Sequence, residues 1–251
     1  MQLHLSGKPI DEIAMERLRE YEPPEGYWLA FSGGKDSIVI LDLARRAGVN
    51  FTAHYNLTTV DPPELVRFVW TFPGVQIDRP EMSMWRWIPR KRCMPTRWRR
   101  WCCDKLKEQQ TPDRCVVTGI RWQESTRRGK RRMFEVCQNK RLRSFVHPII
   151  DWTASDVWQY IRERGLRYCS LYDEGFDRIG CVMCPVQAPS KMQRQALRWP
   201  KIAAAWKRAC YRLWESKPGF HAAHPTPEHM WHWWITGQGA IDKPEDKKLF
   251  D

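Results

Sequence analysis

The sequence predicts an α/β fold in which a Rossmann-like, doubly wound parallel sheet is followed by a helical C-terminal part. Short apolar runs alternate with segments of helical periodicity over the first half, and the links between them are short. A polar turn containing two glycines follows the first apolar run, whereas the second half shows mainly helical patterns. These observations place the α/β core at residues 1–150 and the helical part at residues 151–251.

The elements of the first half follow from apolar spacing and from residues that begin or end helices. Prolines stand at the start of a helix at 62–71, and Gly48 is placed to end a helix at 37–47. The predicted strands span residues 27–31, 51–57, 75–78 and 114–120, and a first helix spans residues 11–21. The order β–α–β–α–β with short links favours parallel strands covered by helices on both faces.

Helix-starting residues define the elements of the second half. Thr153, with Asp156 at the third helical position, forms a capping-box-like start for a helix at 153–164. A helical pattern at 189–216 is interrupted near Pro200, and Thr226 followed by a proline begins a last helix at 226–236. The histidines and tryptophans of that last segment are better explained by packing of the helix than by a metal site.

The charge balance indicates an anionic partner. The 251 residues include 42 Lys and Arg against 29 Asp and Glu, a formal net charge of +13. This excludes an acidic solvating protein and favours nucleic acid or a phosphorylated ligand. No apolar run approaches the roughly 20 residues that cross a bilayer, and the N-terminus lacks the apolar segment of a secretion signal. We therefore expect a cytoplasmic protein without membrane contact, whose nine cysteines are thiols, metal ligands or catalysts.

A phosphate-binding loop is predicted between the first strand and the helix that follows it. The loop consists of Ser32, Gly33, Gly34, Lys35, Asp36 and Ser37. Its glycines let the backbone approach phosphate oxygens, and the N–H groups of the turn and of the helix N-terminus point at the anion. The lysine adds a positive charge, the serine hydroxyls can donate hydrogen bonds, and the aspartate can hold Mg²⁺ on the phosphates. The spacing differs from a Walker A loop, and an ordinary polar turn is the alternative interpretation.

The hexapeptide SGGKDS resembles the PP-loop of the ATP pyrophosphatases. Three further stretches, at residues 118–125, 151–158 and 171–181, are similar to the PAPS reductase branch of that superfamily. The resemblance implies a PP-loop fold like that of the adenine nucleotide alpha hydrolases, in which ATP is split into an adenylated substrate and pyrophosphate. It also implies that Lys35, Asp36 and Arg121 serve catalysis, and that Arg127 and Arg128 bind phosphates of ATP or of the substrate.

Two cysteine pairs provide four thiolates. Cys102 and Cys103 are adjacent, and Cys181 and Cys184 form a CxxC motif. Four thiolates can close around a [4Fe–4S] cluster or a tetrahedral metal, and adjacent cysteines reach a single small ion less easily than a wider cluster. Iron–sulfur members of the PAPS reductase family carry this pattern, so the resemblance also implies a cluster. Structural zinc, a redox disulfide and core cysteines are the alternatives, and Cys93, between basic residues, is a weaker candidate for a sulfur carrier.

Two departures from the sulfonucleotide reductases of this family favour the use of ATP. Those enzymes depend on a cysteine near the C-terminus, in a Glu-Cys-Gly-Leu-His-like tail, whereas no cysteine follows Cys210 here. They also generally carry a degraded phosphate loop, whereas this loop retains its lysine, its aspartate and both serines. With its intact loop and its cysteine pattern, this chain resembles the DndC-type sulfurtransferases of DNA phosphorothioation.

Two basic segments predict a nucleic-acid surface. Residues 86–101 contain seven Arg and Lys and no acid, and residues 121–143 contain nine more. A solvated charged face is the ordinary explanation of such runs, but nucleic-acid phosphates would also neutralise them, with release of counterions. Tryptophans in and next to the first segment can stack on unpaired bases or pack beneath arginine side chains. These are Trp85, Trp87, Trp98 and Trp101.

The sequence and the resemblance together predict an ATP-dependent sulfurtransferase that adenylates its target, releases pyrophosphate and uses a [4Fe–4S] cluster, with ATP and Mg²⁺ at the loop. DNA or tRNA is the expected acceptor, and the family implies a cysteine desulfurase or another sulfur donor as a partner. One alternative is a sulfonucleotide reductase that yields sulfite from PAPS or APS. The other is a redox-sensing nucleic-acid-binding protein.

Overall fold

The computed structural model describes residues 7–108, 111, 113–137 and 143–237. The strands are β1 (Tyr27–Ala30), β2 (Phe51–Asn56), β3 (Val75–Asp78), β4 (Cys115–Val117), β5 (Phe134–Cys137) and β6 (Arg143–Val146). The α-helices are α1 (Ile10–Glu20), α2 (Lys35–Ala47), α3 (Pro63–Val69), α4 (Met84–Lys91), α5 (Trp101–Cys103), α6 (Thr126–Gly129), α7 (Ala154–Glu163), α8 (Pro189–Arg198), α9 (Pro200–Glu215) and α10 (Pro227–Ile235). Single 3₁₀ turns span Trp122–Glu124, Ser170–Tyr172 and Pro218–Phe220, and a π-helical turn spans Asp104–Glu108.

The chain divides into two compact units. The first unit comprises the described residues of Met1–Asn56, Pro63–Asp78 and Gln110–Ile179. The second comprises those of Leu57–Pro62, Arg79–Gln109 and Gly180–Asp251. The helix α7 therefore lies in the first unit, beyond the boundary at residue 150 that separates the two predicted parts. The domains at 1–150 and 151–251 remain a prediction.

The first unit is built on the predicted α/β sheet. Its strand order is β3-β2-β1-β4-β6-β5, and every neighbouring pair is parallel except β5 with β6. The order runs outward in both directions from β1 and β4, which makes the sheet doubly wound. The predicted fold class is thereby confirmed, with one antiparallel edge strand added.

The helix α2 forms much of the apolar core of the first unit. Ile38, Val39 and Ile40 are at most 3% exposed, and this helix contacts both α1 and α7. The strand β1 lies in the middle of the sheet, and its Tyr27 hydroxyl donates a hydrogen bond to the Leu18 carbonyl of α1 at 2.8 Å. Burial on this scale holds the start of α2 in a fixed position relative to β1.

Most predicted elements are confirmed, with small shifts at their ends. The prediction began the second helix at residue 37, but α2 begins at Lys35, because Gly34 takes an extended N-cap conformation. Thr153 and Asp156 form the predicted capping box, and Gly48 ends α2 in the left-handed region with φ +72°. The predicted helix at 189–216 is two helices, α8 and α9, that meet at Pro200.

Tryptophans hold the second unit together around α9. Trp206 of α9 is 1% exposed, and its indole N–H donates to the Val182 carbonyl at 3.2 Å. Its ring lies 4.8 Å from that of Trp234 and 5.2 Å from that of Trp85, measured between centroids. The predicted packing role of the last helix is confirmed by Trp234, which is 3% exposed. Among the described residues, no helix has the length and apolar composition needed to cross a membrane.

A buried histidine in the first unit should make folding stability depend on pH. His147 is 0% exposed, with Nδ1 2.7 Å from the Thr118 hydroxyl and Nε2 3.3 Å from the Arg131 guanidinium. Arginine only donates, so Nε2 accepts and Nδ1 carries the hydrogen. Burial, together with the charge of Arg131, lowers the pKa of His147 from 6.5 to about 4.

Because the folded pKa lies below the unfolded one, the stabilisation is complete above pH 6.5 and is lost as the pH falls toward 4. The expected loss is roughly 3 kcal/mol of unfolding free energy. His147→Gln should retain a donor and an acceptor while removing this part of the pH dependence. Urea unfolding at several pH values between 6.5 and 4 measures the unfolding free energy of both proteins. The same pH dependence in the two proteins would contradict the prediction.

Candidate functional site

The predicted phosphate loop lies directly after β1, at the carboxyl end of the sheet. The neighbours of β1 are β2 and β4, so the loop occupies the point where the strand order changes direction. In open α/β sheets, ligands bind at this switch point. Gly33 takes φ +69°, and Gly34 then leads into the first turn of α2. The N-terminal N–H groups of a 13-residue helix therefore face the same end of the sheet.

Hydrogen bonds within the loop maintain its shape. The Ser37 hydroxyl donates to the Gly34 carbonyl at 2.8 Å, and the Ser32 hydroxyl lies 3.2 Å from that of Ser37. The Gly34 N–H donates to the Ser32 oxygen at 3.3 Å. Both serines thus bond to the loop itself, and Ser37 is 4% exposed. Their predicted hydrogen bonds to phosphate remain predictions.

Lys35 is held by a segment that is distant in sequence. Its backbone N–H donates to the Tyr172 hydroxyl at 2.8 Å, and its ammonium donates to the Asp177 carbonyl at 2.9 Å. Lys35 is 7% exposed, and burial raises the pKa of Tyr172. The phenol oxygen therefore accepts from an N–H group that could otherwise bind an anion. Tyr172 lies in the stretch at residues 171–181 that carries the family resemblance, but the sequence pattern predicted no role for this tyrosine.

Asp36 pairs with the predicted catalytic arginine. The Arg121 Nε lies 2.7 Å from Asp36 Oδ1, and the Lys35 ammonium lies 3.8 Å from Oδ2. Arg121 is 3% exposed and also donates to the Trp152 carbonyl at 3.3 Å. The loop after β1 and the segment after β4 thus meet through a buried ion pair. Both carboxylate oxygens of Asp36 thus face cations, and its predicted contact with Mg²⁺ remains a prediction.

Gly119 allows these two segments to approach each other. A Cβ atom at this position would lie 3.0 Å from the carbonyl carbon and from the Cβ of Asp36. Such spacing is tighter than ordinary contact, so only glycine fits without a shift of the backbone of α2. Sequence reasoning placed Gly119 at the end of a strand and assigned it no function.

The other two predicted phosphate ligands lie on the short helix α6. Arg127 is exposed, whereas Arg128 is half-buried and its guanidinium pairs with the Glu124 carboxylate. The Ser125 hydroxyl caps this helix by accepting from the Arg128 N–H at 3.3 Å. Contacts of either arginine with phosphate remain predictions.

Two glycines of similar backbone conformation allow a matched test of the loop. Gly33 and Gly48 have φ +69° and +72°, but a Cβ at Gly33 would lie 2.7 Å from Val69 Cγ2 and 2.8 Å from Leu65 Cδ1. A Cβ at Gly48 would meet nothing within 4 Å. Both alanine variants carry left-handed strain, and Gly33→Ala adds overpacking. We expect Gly33→Ala to lower the unfolding free energy by about 1–3 kcal/mol more than Gly48→Ala. Denaturant unfolding measures this, and equal losses would show that the close approach is unimportant.

The four predicted metal ligands all lie in the second unit. Cys102 and Cys103 lie on α5, and Cys181 and Cys184 lie at the two ends of a turn before α8. All four are free thiols and are half-buried. Cys93, the weaker sulfur-carrier candidate, is also half-buried in this unit.

The backbone of the CxxC turn is held by its neighbours. The Val182 N–H donates to the Val60 carbonyl at 2.8 Å, and the Met183 N–H donates to the Gln195 side chain at 2.6 Å. Met183 is 0% exposed and takes φ +57°, which an L-residue adopts only where its surroundings enforce it. The two cysteine side chains of the turn are therefore placed by a rigid scaffold.

The four thiols influence one another electrostatically. A hydrogen bond to Cys103 and burial raise the pKa of Cys102, and charges on Cys181 and Cys184 raise it further. The bond from Cys102, aided by the charges of Lys107 and Arg100, lowers the pKa of Cys103 to about 5. Arg100 contributes directly, with its guanidinium 3.7 Å from the Cys103 sulfur. The charges of Cys181 and Cys184 thus act on Cys102, which supports an electrostatic link between the two cysteine pairs.

This donor set suits an iron–sulfur cluster in its chemistry. Thiolates are soft ligands that select Fe–S clusters and zinc, and the cations of Lys107 and Arg100 offset the negative charge of a thiolate group. Among the described residues, no group of three or more His, Cys, Asp or Glu side chains is arranged so that it could hold a metal ion. The assignment of all four cysteines as ligands remains a prediction.

Comparison with known proteins finds relatives that align with most of this chain. Adenosine 5′-phosphosulfate reductase 2 of Bacillus subtilis is 29% identical, over 78% of this chain and 87% of its own length. An uncharacterized protein of Methanocaldococcus jannaschii is 30% identical over 71% of this chain. That alignment covers 40% of the relative, so this chain spans less than half of its length.

Solved structures support the fold. The phosphoadenylyl-sulfate reductase of Candida auris, solved as a phosphate complex, superposes with a TM-score of 0.51 at 21% identity. The match covers 72% of this chain and 97% of that one, and at this identity it shows the fold alone. The family model of the phosphoadenosine phosphosulfate reductase domain matches residues 26–187, well over half of the chain. The chain therefore belongs to the phosphoadenosine phosphosulfate reductase domain family.

Proposed function

We propose that this protein is an ATP-dependent sulfurtransferase that adenylates an oxygen of its acceptor and then replaces that oxygen with sulfur. The observation that carries the proposal is the complete phosphate loop at the switch point of the sheet. Lys35 stands at the first position of α2, and Asp36 is fixed beside it by Arg121. A loop with these charges suits a substrate that brings its own triphosphate.

The proposed reaction has two steps. An acceptor oxygen attacks the α-phosphorus of ATP, the bond from that phosphorus to the bridging oxygen breaks, and pyrophosphate leaves. Hydrosulfide then attacks the activated atom of the acceptor, and AMP leaves with the original oxygen. Sulfur enters as hydrosulfide and remains at the sulfide level in the product, so these two steps involve no net oxidation or reduction.

The loop stabilises the leaving group in this scheme. Negative charge develops on pyrophosphate, and the N–H groups of the loop and the Lys35 ammonium are placed to receive it. The Tyr172 hydroxyl now accepts from the Lys35 N–H, so a phosphate oxygen that takes this hydrogen bond must displace the phenol. Asp36 would hold Mg²⁺ on the phosphates, and Arg121 keeps the carboxylate in position. Arg127 and Arg128 are proposed to contact phosphates of ATP or of the acceptor.

The four cysteines are proposed to bind a [4Fe–4S] cluster. The electrostatic link between the two cysteine pairs and the cations of Lys107 and Arg100 support this assignment. When bound, the cluster would supply a place to hold sulfide for the second step. A cysteine desulfurase is the proposed source of the sulfur, which it supplies as a persulfide, and a thiol reductant then provides the two electrons that release hydrosulfide.

Nucleic acid, as DNA or tRNA, is the proposed acceptor. A net charge of +13 and the basic segment at residues 86–101 support an acceptor that carries phosphates. Both DNA and tRNA offer oxygens that can attack the α-phosphorus, on phosphates or on base carbonyls.

The products formed from ATP test this proposal. Anaerobically purified protein is incubated with ATP, Mg²⁺, sodium sulfide and a mixture of DNA and tRNA, and the nucleotides are separated. AMP and pyrophosphate in equal amounts are expected, because the attack occurs at the α-phosphorus. ADP and phosphate, or unchanged ATP, would contradict the proposal.

A further inference from the structure

The segment before the adjacent cysteines presents an exposed tryptophan among arginines. Trp98 is 60% exposed, and Arg97, Arg99 and Arg100 beside it are exposed as well. The other tryptophans of the segment differ, because Trp87 is only 9% exposed beneath basic side chains. The structure thus separates one surface tryptophan from its neighbours, which the sequence pattern could not do.

A short turn holds this tryptophan in place. The Thr96 N–H donates to the Arg99 carbonyl at 3.2 Å, and the Arg99 N–H donates to the Thr96 hydroxyl at 3.0 Å. The preceding Pro95 carbonyl accepts from the buried Trp234 indole at 2.7 Å. These bonds anchor both ends of the turn, so Trp98 and Arg97 lie at the tip of a fixed structure. A preorganised aromatic surface loses little conformational entropy when a ligand stacks on it.

The charge of this surface is one-sided. Residues 86–101 contain seven Arg and Lys and no Asp or Glu. Arg86, Arg90 and Arg92 are exposed along with the arginines of the turn. A row of cations beside an exposed ring matches the surfaces that bind single strands, where cations follow the backbone and bases stack on aromatic rings.

We propose that the turn at residues 96–100 binds single-stranded nucleic acid, with an unpaired base stacked on the Trp98 ring and phosphates on Arg97 and Arg99. A base within a duplex has both of its faces covered by neighbouring bases, so the surface should prefer unpaired strands. Stacking tolerates any base, because every base has a π-face. This inference rests on the proposed function for its choice of a nucleic-acid acceptor, and it specifies where and in what form that acceptor docks.

A cavity in the same unit extends this surface. It measures about 240 Å³, and Thr96 and Arg97 of the turn form part of its wall, together with Met192 and Trp234. Pro185, the residue after Cys184, also lines it. The turn therefore borders both the solvent-exposed ring and a mostly apolar recess that could receive a neighbouring base.

Binding of labelled oligonucleotides without ATP tests the inference. Fluorescence anisotropy compares a fluorescein-labelled single strand, as DNA and as RNA, with the same sequence annealed to its complement. Trp98→Ala should weaken single-strand binding about tenfold or more, and Trp98→Phe should retain most of it. The matched control is Trp70→Ala, since Trp70 is 64% exposed in the first unit and outside the basic segments. It should bind like the unmodified protein.

A second variant tests the phosphate contacts. Arg99→Gln should weaken the binding of single strands and of duplexes alike. It should also reduce the slope of log affinity against log salt concentration by about one. Unchanged single-strand affinity of Trp98→Ala, or an equal loss in Trp70→Ala, would overturn the inference. Equal affinity of the unmodified protein for single strands and duplexes would overturn it as well.

Binding and pyrophosphate release are measured separately, so the two proposals can fail independently. Release of pyrophosphate without Trp98-dependent binding would retain the proposed function and reject this surface. Trp98-dependent binding without release would retain the surface and reject adenylation.

Discussion

Replacing Lys35 with glutamine is expected to reduce the release of pyrophosphate from ATP by about 100- to 1,000-fold, the usual cost of removing one group that stabilises developing negative charge. The Lys35 side chain is 8% exposed, and its ammonium is the cation on the first turn of α2. A buried, positioned cation is worth more than one in water, because the surroundings screen it less. Glutamine can still donate toward the Asp177 carbonyl, so the variant removes the charge with little change to the fold. The measurement is the initial rate of pyrophosphate release at saturating ATP.

The matched control for this variant is Lys8→Gln. The side chain of Lys8 is 50% exposed and pairs with Glu16 on the surface of the first unit, so its loss should leave the rate unchanged. Thermal unfolding of both variants confirms that a slow rate does not come from loss of structure. Turnover of Lys35→Gln within a few-fold of the unmodified rate would remove the loop from the mechanism.

Loss of a single cysteine from the proposed cluster site is expected to abolish stable iron binding. Anaerobic reconstitution with iron and sulfide should load the unmodified protein with about four iron atoms per chain, the content of one [4Fe–4S] cluster. Cys103→Ala and Cys181→Ala each remove one of the four thiolates and leave an incomplete ligand set. We expect both variants to lose the visible charge-transfer absorbance and nearly all bound iron, as measured by metal analysis.

The control for the cysteine variants comes from the same unit. Cys93 is half-buried like the proposed ligands and lies near them in sequence, but it is not part of the predicted ligand set. Cys93→Ala should therefore bind the same amount of iron as the unmodified protein. Full iron content in Cys181→Ala, or an equal loss in Cys93→Ala, would contradict the assignment. Zinc in place of iron in protein purified without oxygen would favour the structural alternative.

The nucleotide-binding half of the fold could be predicted because its signals are local. The apolar run of β1, the glycines of the loop and the period of α2 are adjacent in sequence, and each supports the same strand–turn–helix unit. Capping by Thr153 and Thr226 depends on contacts within one turn, and both caps are present. The position of the phosphate loop follows from this local order.

The missed elements depend on pairing and packing with other elements rather than on a pattern within their own residues. β5 and β6 are four residues each, and each contains a charged residue, so the pairing of the two strands with each other, and of β6 with β4, is what makes them strands. The helix α4 contains a proline and many basic residues, which conceal its three buried side chains from a periodicity argument. Tertiary contacts override weak local preferences in both cases.

The same distinction between local signals and long-range contacts applies to the candidate site. Lys35 and Asp36 could be identified from the loop motif, but the contacts of Tyr172 and Asp177 with Lys35 span 137 and 142 residues. The close approach of Gly119 to Asp36 is likewise a long-range contact. The two cysteine pairs were recognisable as motifs, but their placement in one unit depends on how the chain leaves and re-enters that unit.

The most direct test of the proposed function compares ATP with a preformed adenylyl sulfate in one anaerobic preparation. Pyrophosphate release from ATP is measured with and without DNA or tRNA, and sulfite release is measured from PAPS and APS with a thiol reductant. The account predicts pyrophosphate release that one nucleic acid stimulates, and no sulfite. Sulfite from PAPS or APS, with no pyrophosphate from ATP, would contradict the account and identify a sulfonucleotide reductase.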